Sequence, residues 1–409
     1  MHTTNEKQPG QKRIVASLAS QCHVLIAEMA TPLQESLSPS PGDAIMLMRR
    51  KVVLGAVACG ALSPALVACS SSASEQGVAR ALRHPLTGGG DRAQLQRELV
   101  RYATLAPSSH NTQCWTYHLQ DQAIVIAPDP SRRCPVVDPD DHHLHVSLGC
   151  ATENLAQAAL AAGMLAEARF DPAGQGAITV HLQATRPLVT PLFQAITERQ
   201  CTRGDYDGKR ISNDELRLLE RAGTGNGVRV MLLTERAAIE KVLEYVVAAN
   251  TAQMGDAAFV AELKSWIRFS AAEAQQSGDG LFSGASGSPV LPRWLGSPLM
   301  GLFFTPKSEN ERYARQIRNA SGIAVFVSEA NDKAHWIEAG RCYERFALQA
   351  TALGLRNAHL NQPVEVGAIR PQFASALGLG SQRPDLVVRF GRGPAMPLSM
   401  RRPVQAVLV

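Results

Sequence analysis

The chain lacks most of the features that assign a function by composition. No charge of one sign dominates: 41 Lys and Arg stand against 36 Asp and Glu, a net charge of +5 in 409 residues. Without a concentrated basic stripe that balance serves solubility and offers no nucleic-acid surface. Glycine (32) and proline (24) are near average usage, which excludes collagen-like and low-complexity chains. Aromatics are scarce, at 5%, and Trp266, Trp294 and Trp336 read as core or cover residues, not stacking platforms. No C-x-x-C pair exists for zinc or dithiol chemistry. Long apolar runs are missing except Val52 to Ala68, which is short for a span and carries Gly55, Gly60 and Pro64; a polytopic membrane protein is excluded.

That one run is laid out as an export signal. Arg49, Arg50 and Lys51 precede it, and Leu66-Val67-Ala68-Cys69 closes it before Ser70, Ser71 and Ser72. The close resembles a bacterial lipobox, which would make Cys69 the lipidated first residue of a mature chain. Arg49-Arg50 resembles a twin-arginine signal, but Lys51-Val52-Val53-Leu54 follow, so the folded and unfolded export routes both stay open. Met46 or Met48 then serves as start, residues 1–45 form an upstream extension, 46–69 the signal and 70–90 a small, polar tether. The expected location is the cell envelope, lipid-anchored, if this signal is used, and the cytoplasm otherwise. Beyond Cys69 five cysteines remain: Cys114, Cys134, Cys150, Cys201 and Cys342. An odd number cannot form a complete disulfide framework.

The length suits two domain-sized units. A helical pattern from Asp91, with Leu95, Leu99 and Tyr102, breaks at Pro107-Ser108-Ser109-His110-Asn111. Short strands follow near 115–119 and 124–127. Leu148, Ala151, Leu155, Ala158 and Ala162 mark one face of a second helix. Asp138 to His145, rich in acids and histidines, reads as a solvated helix cap and not as a metal cluster. Ser212-Asn213-Asp214-Glu215 is a capping box; Val228 to Leu233 is β-rich, and Glu235 to Asn250 helical. Residues 278–306 are rich in Gly, Pro and Ser yet carry Trp294, Leu299, Met300, Leu302, Phe303 and Phe304, which predicts a lid over a site. Buried strands near 323–327 and 386–390 flank a helix from about Lys333 to Gly354. Gly149, Glu153, Ala156, Ala159 and Gly163 recur 191 residues later as Gly340, Glu344, Ala347, Ala350 and Gly354, which suggests two related halves.

The most informative stretch is Ala106-Pro107-Ser108-Ser109-His110-Asn111-Thr112-Gln113-Cys114-Trp115. It resembles the Pro-Ser-Ser-x-Asn-x-Gln-Pro-Trp motif of the nitroreductase-type flavoproteins, with Cys114 in place of the second Pro. Arg199-Gln200-Cys201-Thr202-Arg203 is similar to that family's Arg-x-Ser-x-Lys/Arg stretch, with Cys201 where Ser is usual. Arg401 and Arg402 resemble its basic terminus, and Asn361-Gln362-Pro363 the segment facing the flavin. The resemblance covers about 91–409. It implies an α+β nitroreductase-like fold whose halves, 91–190 and 191–409, are fused as an intrachain pseudo-dimer of the Acg-like branch, with a lid at about 278–306. It implies FMN held by Pro107, Ser108, Ser109, Asn111, Gln113, Arg199, Cys201, Arg203, Asn361, Gln362, Arg401 and Arg402, with phosphate on planar guanidinium forks. Electrons would pass from NAD(P)H or another donor to a small nitroaromatic or quinone acceptor, the flavin and not a side chain carrying the chemistry. The alternative is a lidded flavin-sequestering protein with little turnover. A monomeric pseudo-dimer, touching the membrane only through its lipid, completes the expectation.

Overall fold

The computed structural model describes residues 77–87, 91–172 and 176–409. The expected signal, Cys69 and the extension 1–45 lie outside them. In chain order the principal elements are α1 (Arg92–Thr104), β1 (Trp115–Gln120), β2 (Ala123–Pro128), α2 (His142–Ala161), β3 (Met164–Phe170), β4 (Ile178–Ala184), α3 (Asn213–Ala222) and β5 (Val228–Leu233). Then come α4 (Arg236–Gly255), α5 (Ala257–Trp266), β6 (Ile267–Arg268), β7 (Leu281–Phe282), α6 (Arg293–Phe303), α7 (Pro306–Arg318), β8 (Gly322–Ser328), α8 (Lys333–Ala352), β9 (Arg356–His359), α9 (Gln362–Glu365) and β10 (Arg383–Gly391). The class is α+β: two antiparallel four-stranded sheets, ordered β1-β2-β4-β3 and β5-β8-β10-β9, with helices between and outside them.

Local chemistry sets these limits. Asp91 caps α1 by accepting from Gln94 N, Asp332 caps α8 through His335 N, and Ser212 with Glu215 forms the capping box of α3. β8 and β10 are buried along their whole length. Ala324 and Phe326 face the core shared with α8, while Ile323, Val325 and Val327 face a second core built with Ile239, Val242 and Val246 of α4 and Ile317 of α7. Burial on both faces is why these segments read as continuous apolar runs.

The two sheets are joined by α2 and α8. These helices cross so closely that their backbones touch. A Cβ on Gly149 would overlap the carbonyl of Ile337 and stand 3.1 Å from Arg341 N. A Cβ on Gly340 would overlap the carbonyl of Val146 and stand 2.8 Å from its carbon. Gly149 and Gly340 are 191 apart, as are Val146 and Ile337, so the contact is reciprocal, as at a two-fold interface. Cys150 Sγ lies 3.2 Å from Gly340 O at the same crossing.

Three expectations are corrected here. Residues 77–87, assigned to the tether, are docked on the body: Ala79 is buried with Phe282, Ala285 and Met400, Arg83 donates to Thr197 O at 2.8 Å and Arg101 to Leu82 O at 3.0 Å. The apolar stretch within 278–306 is not irregular throughout but holds α6, whose 3.6-residue period was masked by Gly296, Pro298 and Gly301. His142, His143 and His145 are buried, not solvated. Asp138 does cap α2, accepting from His143 N and Leu144 N at 3.0 and 2.9 Å, but the rings pack against Trp336 and each other.

Replacing Gly340 by Ala inserts a methyl where only backbone can give way, so Gly340→Ala should lose at least about 2 kcal/mol in urea unfolding. Gly255→Ala, with nothing within 4 Å of the added carbon, should be neutral or gain up to about 1 kcal/mol. Equal midpoints for the two variants would remove the case for a tight crossing.

Candidate functional site

A cavity of about 610 Å³ lies beside the crossing and is lined from both sheets' sides. One wall is Pro107, Ser108, Ser109 and His110, with His143, Val146, Ser147 and Cys150 of α2. The opposite wall is Tyr343, His359, Asn361, Gln362 and Glu365, with Arg203 and Arg389. A cover of α5, 281–291 and α6 closes over them, presenting Phe259, Leu263, Leu291, Leu299 and Met300. The site is thus apolar on the cover and polar on its floor, a layout suited to a flat, amphipathic ligand.

The loop that carries the first wall is strained. His110, Asn111 and Gln113 have φ of 46°, 54° and 53°, left-handed values that cost side-chain-bearing residues free energy unless the surroundings hold them. Here the surroundings do. Asn111 Nδ2 donates to Gly280 O (3.0 Å) and Met400 O (3.2 Å), and its Oδ1 accepts from Arg401 (2.9 Å). Gln113 Nε2 donates to Gly278 O (2.8 Å), and its Oε1 accepts from Arg402 N (2.8 Å). Asp279, between those glycines, pairs with Arg132 and with Arg268 (2.6 Å). The loop, the root of the cover and the C-terminal tail form one braced unit.

This bracing redistributes the residues expected to hold a cofactor. Pro107, Ser108, Ser109, Arg203, Asn361 and Gln362 line the cavity; Asn111, Gln113, Arg199, Cys201, Arg401 and Arg402 do not. Arg199 is buried against Glu344 at 3.1 Å and donates to Leu105 O at 2.7 Å. Its charge is neutralised inside the fold, so it has none to spare for a phosphate. Arg401 donates to Thr104 O, Leu105 O and Ala106 O at 2.8, 3.1 and 3.1 Å; it satisfies the last carbonyls of α1, which the helix leaves without partners. Arg402 reaches Gln113 O at 3.3 Å, and Cys201 bridges to Asn357 beside β9. The amide and guanidinium groups are of the expected type, but the backbone claims them first.

Arg203 is different. Among the described residues its guanidinium meets no acceptor and no carboxylate, and it faces His110, His359 and Arg389. Burial first, and the charge of Arg203 second, push His110 down to about 4 and His359 to about 3. Both rings are therefore neutral at pH 7. His359 Nδ1 and Gln362 Oε1 are buried without a hydrogen-bond partner, which a buried polar atom tolerates only at a cost. The cavity thus holds an uncompensated cation beside orphaned polar atoms, and an anionic ligand with a hydrogen-bonding edge satisfies both.

Residue reasoning missed one cluster. His143 of α2 and Glu365 of α9 approach to 3.7 Å in the cavity, and Gln253 of α4 donates to Glu365 at 2.6 Å. Three separate elements meet there, so no local spacing could reveal it. Burial raises Glu365 to about 7 and Asp138 to about 6, and lowers His143 well below its ordinary value.

No family model matches the chain. It is 23% identical over 330 residues to the protein named "Putative NAD(P)H nitroreductase Rv3131" of Mycobacterium tuberculosis, across 77% of this chain and 91% of that one. It is 24% identical over 334 residues to "Putative NAD(P)H nitroreductase acg" of the same organism, across 76% and 94%. Among solved structures, an FMN-dependent nitroreductase, NfnB, from Mycobacterium smegmatis in complex with NADPH aligns over 50% of this chain and 87% of its own, at 14% identity and a TM-score of 0.33. A nitroreductase with bound FMN from Bacteroides fragilis aligns over 50% and 89%, at 14% identity and a TM-score of 0.32.

Glu365 gives a pH test. Its carboxyl titrates near 4.5 in the unfolded chain and at about 7 when folded, so the folded state favours the protonated form. That contribution is present below pH 4.5 and is lost as pH rises through 7. Glu365→Gln imitates the protonated group, so it should match the parent at pH 4.5 and be more stable at pH 8, by at most about 3 kcal/mol. Parallel stability curves from pH 4.5 to 8 would contradict this.

Proposed function

We propose that the chain is an FMN-dependent oxidoreductase of nitroreductase type, taking electrons from NAD(P)H and passing them to nitroaromatic or quinone acceptors. The observation that carries this reading is the unpaired Arg203 in a cavity whose other end is apolar. The names of the mycobacterial relatives support it, and so does the Pro107-Ser108-Ser109 wall. The residues present fit the cofactor: Arg203 for the phosphate, Ser108, Ser109, His359 and Gln362 for the pyrimidine edge, and Leu291, Leu299 and Met300 for the benzenoid end.

Bound flavin supplies two-electron hydride chemistry, so no side-chain nucleophile is needed. The chain's own part is to orient and exclude. The braced 108–113 loop fixes one wall, the cover keeps water from the ring, and the Arg203 cation offsets negative charge. His143 and Glu365 stand where a proton can be held near neutral pH. The reading extends to organisation: two halves, 91–190 and 191–409, acting as a monomeric pseudo-dimer, exported and tethered through Cys69. The α2–α8 crossing and the layout of residues 46–69 support those statements.

Protein purified without added cofactor should show a flavin absorbance band, released as FMN on denaturation. Arg203→Ala should weaken FMN binding about tenfold to a hundredfold, the loss of one charge-assisted contact, and leave the urea midpoint near the parent value. Arg199→Ala should instead lower the unfolding free energy by about 3 kcal/mol or more, because it strands Glu344. Loss of FMN from the Arg199 variant at unchanged stability, with Arg203→Ala silent, would reverse the assignment. Mixing the flavin-loaded protein with NADPH should bleach the band; no bleaching over minutes favours sequestration over turnover.

A further inference from the structure

The cover helix has two apolar faces. Gly296, Leu299 and Met300 look into the cavity, whereas Trp294 and Leu302 are 75% and 70% exposed, with Pro298 exposed between them. Positions 294, 298 and 302 are four apart and make a single outward stripe. Phe303, also 70% exposed, belongs to the inner row and lines the cavity where it opens. Other large exposed apolar residues are scattered along the chain, among them Leu165, Leu188 and Val189, and Val290 stands just before the helix. A helix that is apolar outside as well as inside is a surface awaiting a partner.

We propose that the outer face of α6 docks on a phospholipid bilayer, seating Trp294 and Leu302 at the headgroup boundary. Three observations select lipid as the occupant. The stripe is narrow and led by tryptophan, the residue that favours the membrane interface. The charge at its ends is basic on balance: Lys307 is exposed just beyond the close, Arg293 at the start is paired with Glu273 at 3.1 Å, and Glu309 is buried and paired with Arg312. The chain also arrives from the right direction. Ala79 is packed against Phe282 and Ala285, in the segment that precedes α6.

The geometry of the tether follows. Seven residues separate Cys69 from Gly77, a reach of at most about 28 Å over the eight chain steps when fully extended. With the export signal read from residues 46–69 in use, the run 52–68 or a lipid on Cys69 would hold a bilayer within that reach of Gly77. Tethering raises the local concentration of membrane at α6, so a weak interfacial contact suffices. This inference does not depend on the identity of the cavity's ligand.

The test uses the full chain bound to vesicles of phosphatidylglycerol and phosphatidylethanolamine, with and without bromine on the acyl chains. The emission of Trp294 is the difference between the parent and Trp294→Phe. That component should shift to shorter wavelength on vesicles and be quenched by brominated lipid. Leu302→Asp should abolish most of the quenching, while its thermal midpoint in solution stays at the parent value because the side chain is exposed. Vesicle-bound protein whose Trp294 component is unquenched would overturn the proposal, as would a chain that does not bind vesicles. Flavin content is read separately by absorbance, so loss of cofactor and loss of docking are told apart.

Discussion

The architecture depends on backbone touching backbone where α2 and α8 cross. Side chains normally keep helix axes 8–10 Å apart; Gly149 and Gly340 remove them at the point of contact. Because each glycine meets the residue equivalent to the other's neighbour, the approach is self-consistent from both directions. The sheets sit outside the crossing and inherit its geometry. The cavity sits beside it, with Val146, Ser147 and Cys150 on one helix and Tyr343 on the other. A rigid crossing thus gives both walls a common reference.

Around that reference the molecule handles buried charge in two ways. Arg199 meets the carboxylate of Glu344, and Arg401 has its donors taken up by carbonyls at and just past the end of α1. Burial, with Arg199 opposing it, leaves Glu344 at about 7, a sign that even a paired carboxyl is costly there. Arg203 is left uncancelled. Two arginines four positions apart, one structural and one open to a ligand, show that charge alone does not make a site; the deciding factor is whether the fold has already supplied the counterpart.

Much of the fold is legible in the sequence because local rules and tertiary demands agree. The capping box at Ser212 forms as written, and 323–327 and 386–390 are strands because two cores press on them. The repeat at offset 191 marks the residues that cross. Legibility ends where a side chain has two equally good uses. Asn111 and Gln113 are amides on a polar loop, and nothing in their spacing says whether they face a ligand or brace a left-handed backbone. The histidines of α2 look solvated beside three aspartates, yet Trp336 arrives from nearly two hundred residues away to bury them. The pair His143 and Glu365 belongs to no motif, since it exists only when α2, α4 and α9 meet. The period of α6 is hidden by Gly296, Pro298 and Gly301, of which only Gly296 is packed, against Phe269.

The reciprocal crossing has a consequence for descent. Adding 191 to the cavity residues Val146, Ser147 and Cys150 gives Ile337, Glu338 and Arg341. Glu338 and Arg341 belong to a knot of charge: Glu338 and Glu153 share Arg341 and Arg345 at 3.0–3.4 Å. If the halves began as copies, one of two ancestral pockets has been filled with ionic mortar and turned into scaffold. A duplicated chain can specialise in this manner without inventing a new shape, because retiring one copy of a chamber frees its walls to stiffen the other.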